Sequence, residues 1–85
     1  MNKDTVFPQY RKLNNGKAYY KIVSENEFEE LQIMGSKVFH HKFKVSQYPD
    51  LLRIKDMIDL HEGLFEETSE DNWFELLDKV KNLRY

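Results

Sequence analysis

The chain has 85 residues, of which 33% are charged and 14% aromatic, and its net charge is −2. This length suits one domain, and the absence of cysteine excludes disulfides, thiolate metal ligands and a cysteine nucleophile. No apolar run approaches the ~20 residues that span a bilayer, and the N-terminus has no signal-peptide core, so we expect a cytoplasmic protein without membrane contact. We expect residues 1–85 to form one small domain in which residues 1–8 are flexible.

A β-hairpin is predicted at the start of the domain. Residues Gln9–Leu13 and residues 17–23 have the composition of two short strands, and Asn15-Gly16 between them is the strongest two-residue hairpin signal. A turn centred on these two residues fixes the register of the strands. The predicted pairs are Leu13 with Ala18, Lys12 with Tyr19, Arg11 with Tyr20 and Tyr10 with Lys21.

The segment after this hairpin has the signals of a helix. Residues 24–27, Ser-Glu-Asn-Glu, have the form of a capping box, in which the serine hydroxyl accepts a hydrogen bond from a free amide and the glutamate reaches back. Phe28 and Leu31 have the spacing of neighbours on one helix face, and Gly35 is a typical helix stop. We therefore predict a first helix from Ser24 to Gly35.

Residues 37–46 predict a central strand with one buried side, because apolar and polar side chains alternate along them. The residues expected on the buried side are Phe39, His41, Phe43 and Val45. His41 would then lie at the edge of the core, where Asp56 is a candidate partner for its ring.

The segment from Leu51 to Leu60 is ambiguous. As a strand, it directs Leu52, Ile54, Ile58 and Leu60 inward. As a helix, its apolar residues scatter around the circumference, although its residues are better helix formers and Asp50 and Gly63 suit the two ends. Residues 19–31 and 64–76 share an extended run, a serine, acids, an aromatic and Glu-Leu in that order. If the two ranges are repeats, Leu51–Leu60 corresponds to the strand Gln9–Leu13 that precedes the first range. We predict a strand, with a helix as the alternative.

Residues 70–83 predict the clearest helix, because one apolar stripe runs along them at helical spacing. The stripe consists of Trp73, Leu76, Leu77, Val80 and Leu83. Ser69 is at the cap position, and we expect the stripe to cover the sheet. The predicted architecture is an α+β fold in the order β-β-α-β-β-β-α, with a mainly antiparallel sheet and both helices on one face.

The open face of this sheet is predicted to carry basic residues and tyrosines. Its members are Tyr10, Lys12, Tyr19, Lys21, His40, Lys42, Lys44, Arg53 and Lys55. Aromatic rings stack on bases and cations hold phosphates, so the set is a candidate surface for single-stranded nucleic acid. An ordinary solvated face has the same composition, because outward lysines pair with tyrosines and discourage edge aggregation.

Histidines and acids are weaker candidates for chemistry. His40 and His41 are adjacent, so on a strand they point to opposite faces and do not share one metal. A site formed by His40, Asp59 and His61 lacks any recognised ligand spacing, and the acidic residues 56–78 lack the spacing of a calcium loop. We expect neither a metal nor a cofactor.

The sequence favours a class of function without identifying one. We expect a small, non-catalytic protein-interaction module that binds a partner protein, or a second copy as a homodimer, through a basic face, an acidic flank or an exposed strand edge. Single-stranded nucleic-acid binding through the basic face is the alternative. A hydrolase or metalloenzyme built on His41, Asp56 or His61 is the least supported class, because no catalytic motif surrounds these residues.

Overall fold

The computed structural model describes residues 6–60 and 63–82, with the side chains of residues 81 and 82 left out. The elements in chain order are β1 (Gln9–Leu13), β2 (Ala18–Ser24), β3 (Glu27–Met34), β4 (Lys37–Lys44), α1 (Tyr48–Ile58), β5 (Phe65–Glu67) and α2 (Glu70–Asn82). The five strands form one antiparallel sheet in the spatial order β4-β3-β2-β1-β5. The predicted α+β class and the antiparallel sheet are therefore confirmed. Of the predicted flexible start, Phe7 packs against the core, and residues 1–5 lie outside the described residues.

The first hairpin has the predicted register. Tyr10 lies opposite Lys21 and Lys12 lies opposite Tyr19. The Gly16 N–H donates to the Leu13 carbonyl at 2.9 Å. Gly16 has a φ of 74°, a conformation that glycine adopts without the steric cost of a side chain.

The first predicted helix is wrong, because residues 27–34 form β3. The serine signal is real, but it serves a turn: the Ser24 hydroxyl accepts a hydrogen bond from the Asn26 N–H at 3.3 Å. Phe28 and Leu31 are both buried, yet they point to opposite faces of the sheet. Their three-residue spacing imitates a helix because β3 is covered on both sides. Since residues 69–76 do enter a helix, the internal similarity is not a structural repeat.

Gly35 does not stop a helix but forms the turn of the next hairpin. Met34 pairs with Lys37, which leaves Gly35-Ser36 as a two-residue loop, and the φ of Gly35 is 65°. Glycine at the first central position is typical of a type II′ turn, whose twist matches that of the flanking strands.

The segment from Leu51 to Leu60 belongs to α1, so the predicted strand is wrong and the helical alternative is correct. Pro49 is in the first turn, where its missing N–H costs nothing, and Gln47 rather than Asp50 is the N-cap. Ile54 and Met57 are fully buried. The strand-like alternation arose partly from Leu52, which is 39% exposed. The helix ends at Ile58, before Gly63, so the element order is β-β-β-β-α-β-α.

The two helices cover opposite faces of the sheet, so the prediction that they share one face is wrong. The core under α1 consists of Ala18, Tyr20, Ile22, Phe28, Val45, Ile54 and Met57. The core under α2 consists of Tyr10, Leu31, Val38, Trp73 and Leu76. We call the two sides the α1 face and the α2 face. Successive residues of a strand point to opposite sides, and large apolar side chains of both parities require a cover on each side.

Arg11 fastens the C-terminal end of α1 to the sheet. Its side chain is buried, and its Nε donates to the Met57 carbonyl at 2.9 Å. One Nη donates to the Ile58 carbonyl at 3.2 Å and the other to the Tyr10 carbonyl at 2.8 Å. Burial lowers the pKa of Arg11, against the opposing effect of Glu67. A cation at this end complements the negative pole of the helix dipole.

The last helix is confirmed as α2. The Ser69 hydroxyl accepts a hydrogen bond from the Asn72 N–H at 3.1 Å, which is the predicted cap. Trp73 and Leu76 are buried, and Leu77 and Val80 pack against them. Leu83, the last residue of the predicted stripe, lies outside the described residues.

Candidate functional site

The predicted basic face exists as a set of neighbours but is not open. Strand alternation places seven of the nine residues on the α2 face, namely Tyr10, Lys12, Tyr19, Lys21, His40, Lys42 and Lys44. The expectation of an uncovered face is wrong, because α2 packs there. Tyr10 is 9% exposed, and its ring centroid lies 6.2 Å from that of Trp73. Tyr19 packs at the rim of the same core.

Several basic residues of this set have partners within the chain. The His40 Nε2 lies 2.7 Å from a Glu29 carboxylate oxygen, and the His40 ring meets Trp73 edge to face. Lys12 lies 3.8 Å from Glu66 on β5. These contacts tie the strands and α2 together, as expected of cross-strand pairs.

The Lys21 Nζ lies 5.9 Å from the centre of the Phe74 ring. Phe74 is 47% exposed and borders a shallow acidic groove of about 550 Å³ on α2. The groove is lined by Asp71, Phe74, Glu75, Leu77 and Asp78. The three acids of this groove belong to the acidic residues 56–78 noted in the sequence.

The remaining two residues of the set, Arg53 and Lys55, lie on α1 and not on the α2 face. Arg53 stacks over the rings of Tyr20 and Phe28, at 5.7 and 5.5 Å from their centres. The Tyr20 hydroxyl donates to a Glu30 oxygen at 2.9 Å and accepts from Arg53 at 3.3 Å. Burial, and then the hydrogen bond to Glu30, raise the pKa of Tyr20. A hydrogen bond to Asp59 raises the pKa of Lys55.

The side of β4 that was predicted to be buried is largely exposed. Phe39 and Phe43 are 42% and 37% exposed, whereas Val38 on the other side is 7% exposed. Val45, just beyond the strand, is buried as predicted. The reason is the position of β4 at one edge of the sheet. Its α2 face is covered by α2, whereas on the α1 face the helix α1 lies nearer β1 and β2. His41 is therefore exposed, and among the described residues it makes neither a hydrogen bond nor an ion pair with Asp56.

The outer side of β4 is an open edge. Within the described residues no strand pairs with it, and its eight residues follow directly from the Gly35-Ser36 turn. The Val45 N–H donates to the Asn26 carbonyl at 2.8 Å, so odd-numbered positions turn their backbone groups toward β3. Since the groups of an antiparallel strand alternate, the even-numbered positions turn theirs outward. The outward positions are Val38, His40, Lys42 and Lys44.

A row of exposed side chains, three of them apolar and one a histidine, borders this edge on the α1 face. The row consists of Met34, Phe39, His41 and Phe43, and we call it the aromatic row. Phe43 stacks on the buried Phe28 at 4.8 Å with an angle of 22° between the rings, so one end of the row is anchored in the core. The His41 ring lies 6.2 Å from that of Phe43, and Met34 and Phe39 are exposed at the surface.

One local signal in the sequence indicates the hairpin that leads into this edge. Gly-Ser between two alternating runs is typical of a hairpin, and it identifies residues 27–34 as the strand that precedes β4. Met34, Phe39 and Phe43 were consequently not predicted as site residues. Their exposure follows from strand order, which no local pattern specifies.

Metal and membrane sites receive no support from the part of the chain that is described. Over residues 6–60 and 63–82, no group of three or more acids and histidines is arranged to hold a metal ion. His61 lies outside these residues, so the set of His40, Asp59 and His61, which the sequence did not favour as a metal site, is only partly described. Neither described helix combines the length and the apolar character needed to cross a bilayer.

Comparison with known proteins adds no relative at any of three levels. No protein-family model, no curated protein and no solved structure matches this chain.

Proposed function

We propose that this protein is a protein-interaction module in which an extended segment of a partner pairs with the open edge of β4. The observation that carries the proposal is the eight-residue edge strand, whose outward backbone groups pair with no other described strand and lie beside the exposed aromatic row. Addition of a strand to a sheet edge supplies main-chain hydrogen bonds for affinity and side-chain contacts for specificity. The aromatic row provides those contacts on the α1 face.

The geometry supports this function better than nucleic-acid binding through the predicted basic set. Stacking of bases requires exposed rings, and α2 lies over Tyr10 and against Tyr19. The open edge, by contrast, offers a backbone ladder, which a peptide matches and a nucleic acid does not.

A proline at Lys42 tests the backbone ladder. The Lys42 N–H points outward, so Lys42→Pro removes a donor from the open edge without removing a β3–β4 hydrogen bond, and proline is tolerated at such edge positions. Lys42→Ala is the matched control, because it removes the same charge and keeps the N–H. Both variants and the wild-type protein would be screened against a display library of short unstructured peptides.

We expect selected peptides to bind the wild type and Lys42→Ala, and to bind Lys42→Pro at least about tenfold more weakly. Amide hydrogen exchange of His40, Lys42 and Lys44 should slow on binding, while the amides of Phe39 and His41 are already protected by β3. Peptides that bind Lys42→Pro as well as Lys42→Ala, or that protect amides elsewhere, would contradict the proposal.

A further inference from the structure

We infer that the segment received by the open edge is acidic, with glutamate or aspartate at alternate positions and apolar residues between them. This inference rests on the proposed function and specifies the chemistry of the partner. β4 carries Lys37, Lys42 and Lys44 and no acidic residue. Among the described residues, these lysines make no ion pair, and the basic side chain of β4 that contacts a carboxylate is that of His40, beside Glu29.

The chain itself contains a strand that meets β4 in this way. On the inner side of β4, Glu27 lies opposite Lys44, Glu29 opposite Lys42, and Phe28 opposite Phe43. The two glutamates share the α2 face with the lysines, and Phe28 shares the α1 face with the aromatic row. Opposite charges on directly facing positions stabilise antiparallel pairs.

The outer side of β4 presents the same side chains as the inner side, because a strand has the same two faces at both of its edges. A segment added outside β4 therefore meets Lys42 and Lys44 on the α2 face and Phe39 and Phe43 on the α1 face. Acids alternating with apolar residues satisfy both faces at once. The order Glu-Phe-Glu at residues 27–29 is an example of the required pattern.

A second copy of this chain is a poorer occupant of the open edge. When β4 pairs with β4 of a second copy in antiparallel fashion about a two-fold axis, the α2 faces of the two copies lie on the same side. A pairing centred on His41 places His40 opposite Lys42 of the other copy. Each copy contributes three lysines and no acid, so the joined edges repel. Lysines on an edge strand discourage such self-pairing, and they admit an acidic strand.

Three peptides test the inference. The first has the sequence of residues 26–34, NEFEELQIM; the second has its three glutamates replaced by glutamine, and the third by lysine. Each would be titrated against the wild type, against Lys42→Glu/Lys44→Glu, and against Lys12→Glu/Lys17→Glu as a control with the same change of charge away from β4. Circular dichroism and thermal unfolding establish that each variant is folded.

We expect the wild type and the control to bind the acidic peptide about tenfold more tightly than the glutamine peptide, and the lysine peptide least. Lys42→Glu/Lys44→Glu should reverse this order, which a merely destabilising change would not do. Binding should slow exchange of the outward amides of β4, which separates addition of a strand from replacement of β3.

Other outcomes overturn the inference in distinguishable ways. Equal binding of the acidic and glutamine peptides, or no reversal by the double variant, would contradict the acidic partner while leaving strand addition intact. Acidic binding that survives Lys42→Pro would contradict strand addition as well. A concentration-dependent mass by light scattering with protection of the same amides would identify a second copy as the occupant. A single-stranded oligonucleotide that displaces the acidic peptide would identify nucleic acid instead.

Discussion

Single side chains decide how the helices are held on the sheet, and Arg11 is the clearest case. It is buried, and among the described residues no carboxylate accepts a hydrogen bond from it. Its guanidinium donates instead to main-chain carbonyls, including those of Met57 and Ile58, and to the side-chain oxygen of Gln9. The sequence placed Arg11 opposite Tyr20 correctly. It did not predict the burial, because the helix end that Arg11 binds was assigned to a strand.

Arg11→Met should lower the free energy of unfolding by about 2–4 kcal/mol, because it removes the buried, charge-assisted hydrogen bonds that join β1 to the Met57 and Ile58 carbonyls of α1. Lys12→Met is the matched control on the same strand. It loses only the half-exposed pair with Glu66, and we expect it to cost less than about 1 kcal/mol. Urea unfolding of both variants measures the difference, and equal losses would show that Arg11 is not the fastener of α1.

Tyr20 makes the free energy of unfolding depend on pH in the alkaline range. Its pKa is raised by burial and by Glu30, so the folded state holds the phenolic proton more tightly than the unfolded state. The resulting stabilisation is fully present below the unfolded pKa of about 10 and is lost as the pH rises through the folded pKa. Burial, followed by Glu70, raises the pKa of Tyr10 in the same direction.

We therefore expect the free energy of unfolding to fall as the pH rises above about 10, and Tyr20→Phe to make that fall shallower. Tyr10→Phe combined with Tyr20→Phe should flatten the curve further. Denaturant unfolding at a series of pH values gives the slope. A slope in Tyr20→Phe identical to that of the wild type would contradict the assignment to this hydroxyl.

At the scale of the elements, turn residues and the burial of each face, rather than strand propensity, decide whether a segment forms a strand or a helix. Asn15-Gly16 and Ser69 act through local geometry, and the hairpin and α2 that depend on them were predicted correctly. Residues 27–34 and α1 were assigned to the wrong type of element, because the spacing of their apolar residues depends on which other elements pack against them. Phe28 and Leu31 have the spacing of one helix face, yet Phe28 is buried under α1 and Leu31 under α2, on opposite sides of the sheet. The periodicity of a segment does not reveal that a second helix, distant in sequence, packs against its other side.

Gly35 controls the hairpin that creates the open edge. Its φ of 65° disfavours any side chain, although a Cβ there meets no atom within 4 Å. Gly35→Ala should therefore cost about 1–2 kcal/mol through backbone strain alone. Ser36→Ala, in the same turn, should cost little. Thermal unfolding compares the two, and an equal effect would show that the turn does not need a left-handed residue at position 35.

At the scale of the whole molecule, the sheet separates two cores that share no side chain. The three-layer arrangement leaves part of the α1 face beside β4 uncovered, and this gap exposes the aromatic row. The candidate site is thus a consequence of having one helix for each face of the sheet. The nine residues predicted as a site came from one assumed open face. Seven of them do share one face, Arg53 and Lys55 lie on α1 at the other face, and the surface that is open was missed.

Changes in the two cores should act independently. Ile54→Val removes one methylene under α1, and Val38→Ala removes two methyl groups under α2, each with an expected loss of about 0.5–2 kcal/mol. The double variant should lose the sum of the two within about 0.5 kcal/mol, because the side chains lie on opposite faces. Chemical unfolding of the three variants tests this. A larger departure from the sum would mean that the sheet transmits strain between its faces.

The order of the elements has a consequence for synthesis. Residues 9–44 form the first four strands, whereas the helices that cover their two faces come from residues 48–82. On the ribosome the strands emerge before either helix exists, with Ile22 and Leu31 facing water on opposite sides. A nascent chain that has completed α1 still presents Leu31 and Val38 to chaperones that bind apolar segments. Completion of α2 is therefore the step that ends this vulnerable stage.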